Sequence, residues 1–229
     1  MAIEITGLKF GYPRQENELV LNIPNWVLGE GEGVLIHAPS GAGKSTFLNL
    51  LSGLLVAQQG EVRVLGHNLS EMNGYRRDQF RALHIGYVFQ QFNLIPYLSA
   101  IDNILLANSF SSARQSNPRR NEIPHLLNTL NVARSDWRRP ARHLSVGQQQ
   151  RVAIARALVN KPRFLIADEP TSSLDTENRD RFMSLLMDIA TTNDITLVFA
   201  SHDLSLAPYF KRVESLLDMQ TSGAPLDVL

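Results

Sequence analysis

Apolar and polar positions alternate along two early stretches, Ile3 to Phe10 and Leu19 to Leu28, with the turn-rich Gly11-Tyr12-Pro13 between them. A period of two marks a strand with one buried face, so both stretches are expected to be strands. Gly33 to Ile36, Phe164 to Ala167 and Ile195 to Ala200 are instead short, nearly unbroken apolar runs, the pattern of strands buried on both faces. Gly60 to Gly66 alternates between bounding glycines, Ile85 to Phe89 is again strand-like, and Val213 to Met219 reads as a last strand before the polar tail Thr221 to Leu229. Helical periodicity is expected over Phe47 to Leu55, Arg76 to His84 and Thr176 to Ala190.

From Ser99 to Asn160 the pattern turns mostly helical. Ser99 is placed to cap a helix over Ala100 to Ala107, Pro118 to open one that runs to Leu130, and Gly147 to Leu158 forms a third. Strands alternating with helices, interrupted once by a helical block, predict an α/β fold with a mostly parallel sheet and an inserted helical subdomain.

Composition narrows the function classes. The chain has 229 residues, with 22 basic and 22 acidic side chains, so no overall charge argues for nucleic acid or an acidic membrane as main partner. The absence of cysteine removes disulfides, thiolate metal sites and cysteine nucleophiles. No basic segment leads into an apolar one at the N-terminus, and no apolar stretch approaches the roughly 18 residues of a membrane span. A soluble protein that is not exported is expected.

Chemistry concentrates first at Ala38-Pro39-Ser40-Gly41-Ala42-Gly43-Lys44-Ser45-Thr46, between a strand and a helix. This is the context of a phosphate-binding loop, whose backbone N–H groups face one concavity at the positive end of a helix. Lys44 supplies a full charge for the β and γ phosphates of a nucleotide, and the Ser45 hydroxyl is placed for Mg²⁺. The pattern G-x-x-x-x-G-K-[ST] is met except at its first position, where Ala38 stands. A methyl group there requires a negative φ. The apolar run Phe164 to Ala167 then delivers Asp168 and Glu169 to the C-terminal edge of a strand, where ligands of open α/β sheets collect. Asp168 is the candidate Mg²⁺ holder alongside Ser45, and Glu169 the candidate general base for hydrolysis of ATP. The rival reading of adjacent acids is a charge pair at a helix N-terminus.

The segment Leu144-Ser145-Val146-Gly147-Gln148 resembles the LSGGQ signature of the ATP-binding cassette family. Other landmarks of that family match in order: Gln90 after a strand, Ser172-Ser173-Leu174-Asp175 as the D-loop, and His202 after a strand as the switch histidine. The resemblance implies that Tyr12 stacks on adenine, that Gln90 joins Ser45 and Asp168 around Mg²⁺, and that His202 acts with Glu169. It implies that Ser145, Gly147 and Gln148 bind the nucleotide held by a second, head-to-tail copy. The fold implied is a P-loop ATPase core over residues 1–90 and 163–229, with an antiparallel β-subdomain at its N-terminal side and a helical insert over 91–162. Val146 departs from the signature at its third position.

The run Gly86 to Pro96, followed by Ala100 to Ile104, is similar to the ATPases of macrolide exporters, lipoprotein-release systems and the cell-division transporter. That likeness implies a separate membrane permease as partner and a place on the cytoplasmic face of the inner or plasma membrane, with membrane contact only through the permease and no direct nucleic acid. Translation factors of the superfamily carry two cassettes and repair proteins carry long coiled coils, neither of which is seen here; a regulatory module that reads ATP without turnover is the other rival. In related transporters the insert and the segment after Gln90 receive the permease, so Gln91 to Leu98 is expected to form an apolar docking groove. The arginines 114, 119, 120, 134, 138, 139 and 142 are expected to form a basic face beside it.

Overall fold

The computed structural model describes residues 1–13, 19–111 and 122–221. An antiparallel sheet is formed by β1 (Ile3–Phe10), β2 (Leu21–Leu28), β4 (Gln59–Val64) and β5 (His67–Asn68), in the order β2-β1-β4-β5. The alternation in β1 and β2 buries Ile3, Ile5, Leu8 and Phe10 opposite Leu21, Ile23, Trp26 and Leu28. Between Thr6 and Lys9 the register of β1 against β4 shifts. Gly60 sits at that shift with φ 79, where a Cβ would lie 2.2 Å from the Gly7 carbonyl oxygen, so only glycine lets the two backbones approach.

The second sheet is parallel, in the order β6-β7-β8-β3-β9: β3 is Gly33–His37, β6 Ile85–Val88, β7 Phe164–Asp168, β8 Thr196–Ser201 and β9 Arg212–Ser215. Successive residues of its inner strands feed two different cores. Val34, Ile36, Ile166, Val198 and Ala200 pack with the antiparallel sheet and α1 (Lys44–Leu51). Leu35, Leu165, Ala167, Leu197 and Phe199 pack on the other side against helical residues. Those belong to α3 (Ala100–Ser111), α4 (Ile123–Thr129), α5 (Val146–Leu158) and α6 (Thr176–Thr192). Burial on both faces explains why these strands read as unbroken apolar runs.

Several expectations need correction. The first helix begins at Lys44 and stops at Leu51, because Ser52 closes its last turn and Gly53, at φ 71, leaves the helical region. The expected last strand Val213 to Met219 is a strand only to Ser215. Leu216–Thr221 is a helix, α7, whose Leu216 and Met219 share one face and bury into the first core. The Pro118 end of the helix expected to reach Leu130 lies outside the described residues. Phe92, expected on the docking groove, is 6% exposed and belongs inside; Tyr97, at 70%, is the exposed aromatic of that segment. Helix α2 (Gly74–His84) starts two residues before its expected boundary, capped by the Asn73 side chain on the Arg76 amide.

Candidate active site

The C-terminal ends of three neighbouring strands, β7, β8 and β3, converge at one place. From β3 the chain turns through Gly41 (φ 81) and Gly43 (φ 93) into α1. The left-handed Gly43 caps the helix, and a Cβ there would meet Leu21 at 3.1 Å. Ala38, in glycine's usual place, is buried and is not among the residues with positive φ, so its methyl group is accommodated. Lys44, 6% exposed, turns back over the loop and donates to the carbonyl oxygens of Ala38 (2.7 Å) and Pro39 (3.0 Å). Its Nζ also lies 3.0 Å from Glu169 Oε1.

Glu169 follows β7 with φ 44, a left-handed conformation that costs a side-chain-bearing residue about 1–2 kcal/mol. Its backbone is held there from both sides, its N–H donating to Ala200 O at 2.9 Å and its carbonyl accepting from Ser172 N at 3.2 Å. Its second oxygen, Oε2, lies 2.8 Å from Nδ1 of His202, in the loop after β8. A carboxylate only accepts, so Nδ1 carries the proton of this bond and Nε2 of a neutral ring keeps its lone pair. Glu169 is thereby fixed between a cation and an imidazole at a strained backbone position, the kind of site where strain is stored for function. Asp168, one residue earlier, has its carboxyl pushed above the ordinary range by burial, with Glu169 adding to the effect while the Ser45 hydroxyl, Lys44 and Tyr87 oppose it.

Tyr12, Ser40, Gly41, Gly43, Lys44, Ser45, Thr46, Gln90, Asp168 and Glu169 line one cleft of about 440 Å³, together with Val20. His202 joins it through Glu169, while Ala42 turns half-buried against the first core. Tyr12 hydrogen-bonds Thr46 Oγ1 through its hydroxyl (3.0 Å) and packs edge-on to Phe10, leaving the ring partly exposed at the mouth. Gln90 donates to Ser172 Oγ at 3.1 Å. Carboxylate, hydroxyl and amide oxygens at Asp168, Ser45 and Gln90 are hard donors of the type Mg²⁺ takes when phosphates and water complete its shell.

Ser145, Gly147 and Gln148 are not brought to this cleft. They form the N-terminus of α5 as a capping box: Ser145 Oγ accepts from Gln148 N (3.3 Å) and Gln148 Oε1 from Ser145 N (2.7 Å). Val146 is the first helical residue, so its φ is helical, and its side chain is 53% exposed. Among the described residues, and apart from the chain neighbours and the helix's own backbone, no atom lies within 4 Å of a Cβ built on Gly147, so this turn is uncovered on that side. The sequence reading missed Asp136, buried at 4% exposure, which accepts from Gln148 Nε2 and from Arg139 Nη1 (2.8 Å) and so anchors the turn. It also missed Tyr87, whose hydroxyl is pushed up out of its usual range by burial and by Asp168; the strand period could have placed it on the Asp168 side. A larger cleft of about 760 Å³, lined by His125, Leu126, Lys161, Arg163 and Ile189 among others, has Glu122 tied to Lys161 and lacks a phosphate loop.

The profile of the family described as ABC transporter matches residues 21–172. The chain belongs to that family. This ABC cassette is 38% identical over 219 residues, 95% of both chains, to the uncharacterized ABC transporter ATP-binding protein YbbA of Escherichia coli K12. It is 36% identical over 205 residues to the lipoprotein-releasing system ATP-binding protein LolD 2 of Rhodospirillum rubrum, covering 89% of this chain and 88% of that one. To the macrolide export ATP-binding/permease protein MacB of Chromobacterium violaceum it is 35% identical over 97% of its own length but only 35% of that protein's. Among solved structures it is similar to the ATP-binding cassette MJ0796 in a dimeric post-hydrolysis state with ADP and Pi, at 34% identity, 93% coverage of each chain and TM-score 0.83. The ABC fold, with its antiparallel and parallel sheets, agrees with the sequence expectation, and the cassette is an ATPase of this family.

Proposed function

We propose that the chain binds Mg-ATP in the Lys44 cleft, pairs head-to-tail with a second copy and drives a membrane permease. The observation that carries this reading is the division of the ligand-binding groups. Lys44, Asp168 and Glu169 share one cleft, whereas the capped turn of Ser145 and Gly147 stands apart from that cleft and does not line it. Two copies facing each other bring each turn to the other's cleft. Lys44 and the loop amides hold the β and γ phosphates, and Ser45, Asp168 and Gln90 would hold Mg²⁺, which would supply charge neutralisation at the phosphates. Glu169 takes the proton of the attacking water, oriented by His202 Nδ1–H; Tyr12 stacks on the base.

Residues 1–90 and 163–229 then act as the nucleotide-binding core and 91–162 as a helical arm. A permease as separate partner is supported by YbbA and LolD 2, which are named ATP-binding proteins and of which the chain covers 95% and 88%. Membrane contact is through that permease, on the cytoplasmic face. The test is sedimentation of the Glu169→Gln variant with and without Mg-ATP. A dimer only with nucleotide is expected; a monomer in both conditions, with a permease present as well, would refute the paired site.

A further inference from the structure

Helix α5 is anchored by a second polar side chain about three turns beyond Ser145. Arg156 is half-buried, and both donor arms of its guanidinium are committed to main-chain carbonyls: Nη1 to Asn93 O at 2.6 Å and Nη2 to Phe92 O at 2.7 Å. The same group lies 5.9 Å from the centroid of the Phe89 ring. The carbonyls it holds belong to two consecutive residues in the left-handed region, Phe92 at φ 57 and Asn93 at φ 47. Asparagine tolerates that conformation and phenylalanine rarely adopts it, so the turn depends on what surrounds it. Asn93 N–H closes onto Gln91 O at 2.6 Å, and the buried Phe92 ring pins the turn from inside.

Two short routes lead from this clamp to the cleft. Gln90 lies within the clamped turn, one residue after Phe89, and reaches Ser172. Phe89 stacks on Tyr87, with centroids 4.1 Å apart and planes at 20°, and Tyr87 stands beside Asp168. We propose that Arg156 is a positioning residue for Gln90, tying the turn that carries it to the helix whose first turn presents Ser145, so that both move as one body. The inference rests on the ATPase reading above. A displacement imposed on the Ser145 end of α5 reaches Arg156, about 16 Å along the helix, and passes through two carbonyl bonds to Gln90. Lysine cannot replace this, because a single ammonium lacks the planar fork that meets both oxygens at once.

The test compares Arg156→Lys and Arg156→Gln with the parent full chain by amide hydrogen exchange without nucleotide and by steady-state ATP hydrolysis normalised to folded protein. Exchange at Phe92, Asn93 and neighbouring amides should speed up at least ten-fold while that of residues 33–48 stays put. The turnover number should fall about ten-fold with KM for ATP within two-fold, Arg156→Lys losing less than Arg156→Gln. Unchanged exchange in the turn, unchanged turnover, or exchange rising evenly along the chain with turnover and KM moving together would each overturn the proposal. A parent without turnover would count against the function proposed above, and the exchange comparison, which needs no hydrolysis, would still decide on Arg156.

Discussion

Replacing Glu169 by glutamine separates the charge of this residue from its shape. In the cleft the carboxylate meets Lys44 Nζ at 3.0 Å and His202 Nδ1 at 2.8 Å and is 14% exposed. Glutamine fits the same space and its amide oxygen can accept one of these bonds, but it cannot take a proton from water. Loss of a general base costs about 10²–10⁴ in rate, or about 3–5 kcal/mol of barrier. Binding should move the other way. Two unit charges about 6 Å apart at an effective dielectric of about 20 repel by roughly 3 kcal/mol. Screening by water and salt reduces this to about 1 kcal/mol, so ATP affinity should rise about five-fold once the carboxylate no longer faces the phosphates and no longer holds Lys44. Single-turnover hydrolysis and equilibrium dialysis with labelled ATP measure the two effects independently. Hydrolysis at the parental rate would refute the role given to Glu169, and weakened binding would refute the electrostatic argument.

Asp136→Ala removes the buried acceptor of Gln148 and Arg139; losing hydrogen bonds to a charged group should cost about 2 kcal/mol and lower the melting temperature by about 4–8 °C in calorimetry. For the same reason, reversing Arg139 disturbs the signature turn, so it is no clean test of a basic docking face; Arg138 is exposed, and the arginines at 114, 119 and 120 lie outside the described residues. His84 has its pKa pushed below the ordinary 6.5 by burial first, then by His67 and Arg163. The unfolded chain therefore binds this proton first, and urea midpoints should fall as pH drops below about 6.5, down to the lowered folded value, with a flatter profile in His84→Asn. Phe92→Asp puts a charge into the core and should unfold the protein, whereas Tyr97→Asp should leave the urea midpoint unchanged and weaken recovery of the permease; a well-folded Phe92→Asp protein would contradict the burial found here.

Much of this protein is local and so could be read from the chain alone. The two periods of apolar residues located most of the strands and helices. The residues of the phosphate loop and of the signature turn carry their chemistry in short contiguous stretches, because a strand, a glycine turn and a helix start suffice to shape each. The acid pair was visible for the same reason. The end of the chain misled because Val213 to Met219 mixes apolar residues with Glu214, Ser215 and Asp218 and so fits either period; packing of Leu216 and Met219 on the first core makes its second half helical. Only the tertiary structure decided that Glu169 is held between Lys44 and His202. That depends on β8 lying between β3 and β7, an order of strands that no local stretch specifies. Asp136, Arg156 and Phe92 were hidden likewise. A buried carboxylate, a guanidinium on two carbonyls and a phenylalanine at positive φ owe their roles to partners 12, 63 and 64 residues away, and contact at that range is set by packing rather than by propensity.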